Sequence, residues 1–129
     1  MNPIPILIVG VTLLLGVQNA GDPWMAPTEA DALKSPVASD PKAPVRGAKL
    51  FNAYCWQCHG VTGKGDGPGA ANLKVHPADF GSGQVQSQTD GAIFWKLSNG
   101  RGEMQPFQHT LGKEERWFLV SYIRSLKSH

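Results

Sequence analysis

Cysteine is nearly absent: the 129-residue chain has two, Cys55 and Cys58. A structural zinc site needs four ligands, and no second pair of suitable spacing is present. A disulfide between residues three apart would close a tiny loop and stabilise little. A thioredoxin-like redox pair wants a strand before the motif and a longer α/β chain after it, and neither is visible. An excess of one charge is missing too. Lys plus Arg number 12 against 10 Asp plus Glu, a formal charge of +2, with none of the basic striping of a nucleic-acid binder. No lysine or arginine precedes Lys34. The glycine-rich run over residues 60–68 lacks the Gly-Lys-Ser/Thr ending and the preceding strand of a phosphate-binding loop.

The two cysteines stand in Cys55-Trp56-Gln57-Cys58-His59. Two thiols two residues apart, followed at once by histidine, form the attachment signature of a c-type haem. Each cysteine gives a thioether to one porphyrin vinyl, and the adjacent His59 supplies the proximal imidazole. The length allows one domain. Much of it precedes the motif's domain, which leaves residues 45–129 as the compact unit. A domain of that size has a meagre apolar core, and a buried porphyrin supplies the missing volume.

The segments before that unit have their own character. Within residues 1–20, the run from Pro3 to Val17 is almost entirely apolar and is shorter than the roughly 20 residues that span a bilayer as a helix. They read as a signal peptide or an N-terminal membrane anchor. Either way the domain is exported, to the periplasm or the outer face of the cytoplasmic membrane, where covalent haem attachment takes place. Residues 21–44 hold Pro23, Pro27, Pro36, Pro41 and Pro44, which favours extended chain over helix. Trp24, Met25, Leu33 and Val37 make this stretch more apolar than a plain spacer, so part of it is expected against the domain or a partner.

Within the domain, residues 45–54 read as a helix feeding the motif, with Gly47 marking close approach by another element. The glycine-rich loop turns over the proximal face of the haem, and the Pro68 carbonyl is the expected acceptor for the Nδ1 hydrogen of His59. Phe80 turns inward after Pro77. Thr89-Asp90 caps a helix over residues 91–99, and residues 112–127 form the clearest helix, acidic at its start and basic at its end. Between them Met104 lies on a Gly-rich loop beside Pro106 and Phe107. With the haem motif upstream it is the expected sixth iron ligand; His109 and an open position are the alternatives, and His76 is read as a surface residue. Trp56, Phe80, Trp95 and Phe107 are candidates for the haem wall, and Arg101 for a propionate partner.

Four blocks in order carry a resemblance: Cys55-Trp-Gln-Cys58-His59-Gly60, Gly63-Lys-Gly65-Asp-Gly67-Pro68, Asn99-Gly-Arg-Gly-Glu-Met104, and Arg116-Trp117 through Leu126. Over roughly residues 45–127 the chain resembles the class I, single-haem c-type cytochromes. Where the family commonly has proline directly after the methionine, Gln105 intervenes here. The resemblance implies an all-α fold, with N- and C-terminal helices crossing around one covalent haem c. It implies Cys55 and Cys58 as attachment points and His59 and Met104 as axial ligands. Such an iron has no position for substrate, so the expected function is single-electron carriage between exported redox proteins, not catalysis. The alternatives are a haem subunit of a membrane-bound respiratory or dehydrogenase complex, tethered through residues 1–20, and a five-coordinate haem enzyme or gas sensor.

Overall fold

The C-terminal helix organises the fold, and its sequence explains why it forms. The computed structural model describes residues 23–128, so the expectations for residues 1–20 lie outside the described residues. Helix α5 (Lys113–Ser125) starts where the Gly112 N–H donates to the Glu115 carboxylate at 2.8 Å. That bond satisfies one of the donors a helix start leaves unpaired. Glu114 and Glu115 in the first turn and Arg124 in the last complement the helix dipole. Trp117, Phe118, Leu119, Val120 and Ile123 are buried along it.

Helix α1 (Ala43–Tyr54) crosses α5, burying Ala43, Gly47 and Phe51. It begins two residues before the expected Val45, with Pro44 in its first turn, where a missing N–H costs nothing. The crossing depends on Gly47. A Cβ there would lie 2.0 Å from the Phe118 carbonyl oxygen and 2.7 Å from the Tyr122 Cβ. Gly47→Ala gains roughly 1 kcal/mol of helix propensity but forces two backbones apart, an overpacking cost of typically about 1–3 kcal/mol or more. A net loss of about 1–2 kcal/mol is expected, read as a lower urea midpoint of the haem-loaded protein with unchanged slope.

The haem motif continues from α1 as the short helix α2 (Trp56–His59). Helix α3 (Gly83–Gln86) is capped by the Ser82 hydroxyl and falls in a stretch without apolar periodicity. Helix α4 (Asp90–Asn99) is capped by Thr89, whose hydroxyl oxygen accepts from the Ala92 N–H at 3.0 Å, and ends at Gly100. Phe94 of α4 stacks on Trp117 of α5 with ring centroids 4.0 Å apart. Arg124 fastens the C-terminal end of α5 to Asp90 at 2.6 Å and to the carbonyls of Gln86 and Gln88. Single 3-10 turns occur at Thr28–Ala32, Ala70–Asn72 and Phe107–His109. Among the described residues the one bridge of β type joins Arg101 and Met104, and no helix is long and apolar enough to cross a membrane.

The Pro-rich stretch is folded onto the domain. Its turn at Thr28–Ala32 packs on α4, with Ala30 3% exposed. Gly91 admits it: a Cβ at that position would meet the Ala30 carbonyl oxygen at 1.9 Å. The Thr89 hydroxyl donates to Asp31 Oδ1 at 2.5 Å.

Candidate cofactor site

One cavity of about 1450 Å³ opens between these elements, larger than the roughly 300–1,000 Å³ of ordinary small-molecule pockets. Cys55, Cys58 and His59 line it, and so does Met104. Phe51, Val85, Ile93, Leu97, Leu119 and Ile123 give it apolar walls.

Chain geometry at α2 explains how the motif is held. The Cys55 N–H bonds the Phe51 carbonyl at 2.9 Å, so α1 runs almost unbroken into the motif. The end of α2 then leaves carbonyls without helical partners. The glycine-rich loop folds back to supply them: Gly65 N–H reaches His59 O at 2.8 Å, Gly67 reaches Cys58 O at 3.1 Å, and Gly69 reaches Gln57 O at 2.8 Å. Gly60 and Gly65 have φ of 81° and 79°, a region L side chains rarely adopt. The loop's glycines thus cap the haem-motif helix.

This arrangement corrects one expectation. The His59 Nδ1 faces the Ala78 carbonyl at 3.4 Å, and Pro68 is exposed and off the cavity lining. With Nδ1–H donating to Ala78, Nε2 is the ring nitrogen left free to accept a metal. The imidazole also stacks on Phe80, centroids 4.3 Å apart. Burial lowers the His59 pKa below the usual value, and the Ala78 contact partly opposes that. The neutral ring that a metal requires is therefore the favoured form. Burial, with Cys58 nearby, pushes the Cys55 thiol up to about 12. Nucleophilic cysteines of redox pairs have the opposite shift.

Met104 sits on a tight turn. Arg101 N–H bonds Met104 O at 2.9 Å and Met104 N–H bonds Arg101 O at 3.0 Å. Gly100 and Gly102 on this turn have φ of 64° and 57°. The Glu103 carboxylate accepts from the Lys74 N–H at 2.8 Å, tying this turn to the segment before His76.

Phe80, Arg101 and Phe107 line the cavity as well, with Phe107 6% exposed and edge-on to Tyr54. Trp95 does not, because the face of α4 toward the cavity carries Ala92, Ile93, Lys96 and Leu97. Trp56 also lies off the lining, His76 lies on it, and His109 does not. Sequence reasoning missed Trp24, Pro77 and Lys96 as lining residues. Lys96 had a legible signal, one turn from Ile93 on an apolar helix face; the apolar character of Trp24 points to packing but not to the cavity, and Pro77 had no signal.

Two free thiols, a neutral imidazole and a thioether bordering one large apolar cavity fit a covalent haem. Residues 42–123 match the family model described as cytochrome c oxidase, cbb3-type, subunit III. The chain belongs to that family. Several solved structures agree. A chain of a reducing HAO-like protein complex from Kuenenia stuttgartiensis is 28% identical, with a TM-score of 0.64, over 74% of this chain and 47% of that one. This protein thus spans about half the length of that relative. The c-type cytochrome KustC0563 is 32% identical, with a TM-score of 0.55, over 64% of this chain and 98% of its own. Cytochrome CL of the marine methylotroph Methylophaga aminisulfidivorans, 23% identical with a TM-score of 0.54 over 69% of this chain and 58% of that one, shares the fold. No curated protein matches significantly. The described residues fold as an all-α cytochrome c, with one haem c attached through Cys55 and Cys58.

Proposed function

We propose that this cytochrome carries single electrons, with His59 and Met104 as the axial ligands of its iron, and that it is not itself an enzyme. The observation that supports this most is that Met104, held by its two-way backbone bridge to Arg101, lines the same cavity as Cys55, Cys58 and His59. Bound there, the haem supplies a one-electron Fe(III)/Fe(II) couple whose potential a methionine sulfur raises. The chain's own residues do the rest. His59 is oriented through Nδ1 by Ala78 and by the face of Phe80. The Arg101–Met104 turn holds the thioether, and the apolar wall of α4 and α5 excludes water. Rigid placement of both ligands keeps the two redox states in one geometry.

The partners are redox proteins, a donor and an acceptor. Export to the periplasm or the outer face of the cytoplasmic membrane is part of the same reading, since that is where bacteria attach haem covalently. A second reading, a haem subunit within a larger respiratory or dehydrogenase assembly, is favoured by the likeness to a chain of a redox complex.

A spectroelectrochemical titration of the purified, haem-loaded protein tests the carrier reading. A single one-electron transition is expected, with no carbon monoxide bound by the reduced form and no peroxidase turnover. Prompt carbon monoxide binding would contradict it and favour a five-coordinate enzyme or sensor.

A further inference from the structure

Lys96 occupies an unusual place on the cavity wall. It projects from the same face of α4 as Ile93 and Leu97, and burial lowers its pKa below that of an ordinary lysine. Its hydrogen bond is to a neutral group, the Gln88 side-chain oxygen, at 2.5 Å. The indole of Trp24 covers it, with the ammonium 5.6 Å from the ring centroid. Among the described residues no carboxylate pairs with it. The two that border the cavity are engaged elsewhere: Asp31 accepts from the Thr89 hydroxyl and Glu103 from the Lys74 N–H. A partly desolvated cation with neutral partners is costly unless an anion joins it. Lys74 and Arg101 also border the cavity, but they are exposed to water.

We propose that Lys96, capped by Trp24, is the subsite for a carboxylate of the haem, one of its two propionates. The inference rests on the haem reading above and adds to it a residue outside the ligand set. It also gives residues before the family's matched span a role. The turn at Thr28–Ala32, locked onto Gly91 and Thr89, positions the preceding segment that carries Trp24. The Trp24 indole shields the ammonium from water, which strengthens its pull on a nearby anion.

A cation held beside the porphyrin favours the reduced iron, so its removal lowers the reduction potential. The test compares haem-loaded wild type with Lys96→Gln, Lys96→Arg, Trp24→Leu and Lys49→Gln, the last removing an exposed charge from α1, off the cavity. Haem content is read by intact mass under denaturing conditions, and potential by spectroelectrochemistry. Lys96→Gln is expected to shift the reduction equilibrium about tenfold toward the oxidised form, 59 mV for one electron. Lys96→Arg should restore most of it. Trp24→Leu should move it the same way by a smaller factor, and Lys49→Gln by less than about twofold. Lys96→Gln with covalent haem and an unchanged potential would overturn this proposal alone. Absence of covalent haem from the wild type would overturn the haem reading with it.

Discussion

Replacing Cys55 and Cys58 together by serine is expected to give a chain whose mass is that of the polypeptide alone, and which does not hold a native fold at room temperature. Both thioethers are lost, and His59 by itself gives an exchangeable bond. The structural consequence follows from the cavity. About 1450 Å³ is bordered by Phe51, Ile93, Leu97, Leu119 and Ile123, which would have to face water or collapse inward. Net stability of a domain is about 5–15 kcal/mol, and losing packing against several large side chains at about 2–5 kcal/mol each removes most of it. The expected signature is retained helical far-ultraviolet dichroism with lost near-ultraviolet fine structure, as in other loosely packed compact states. A serine variant whose haem resisted acid-acetone extraction would contradict covalent attachment at this pair.

Met104→Ala is expected to leave the haem attached and change its chemistry. The sulfur is lost while the Arg101–Met104 bridge, made of backbone atoms, is retained. The reduced protein should then bind carbon monoxide promptly. Its potential should fall by an amount on the order of 0.1–0.3 V, a fraction of the roughly 0.8 V range that axial ligation spans. Stability should drop by only about 1–3 kcal/mol, since Met104 is half-buried. A variant with wild-type potential and no carbon monoxide binding would place another residue on the iron, and His76, which also borders the cavity, would be tested next.

What the sequence disclosed follows from where the information is local. The cysteine–histidine motif carries its chemistry in five consecutive residues, and Met104 stands out because the chain's other methionines, Met1 and Met25, precede the domain. Gly47 declared a close approach because glycine inside an amphipathic helix has few other uses, and the Phe118 carbonyl is what approaches. Helix ends moved by one or two residues, as caps alone cannot fix them.

Other features depend on folded geometry. Pro68 gave way to Ala78 as the histidine's partner because the glycine-rich loop is drawn onto the carbonyls of α2, and nothing local encodes that fold-back. Aromatic character makes Trp95 a candidate for the haem wall, whereas helical phase puts Ile93 and Leu97 on the cavity and Trp95 away from it. The packing of residues 23–33 was expected only in outline. It is made by a backbone carbonyl against Gly91, a single Asp31–Thr89 bond and one indole, none of which leaves a periodic pattern.

The most direct test of His59/Met104 electron carriage is the near-infrared spectrum of the oxidised protein, recorded for wild type and Met104→Ala side by side. Methionine on ferric haem gives a weak charge-transfer band there. His59/Met104 ligation requires that band in the wild type and its disappearance in Met104→Ala. A covalently bound haem with no such band in the wild type, or a band that survives in Met104→Ala, would contradict it.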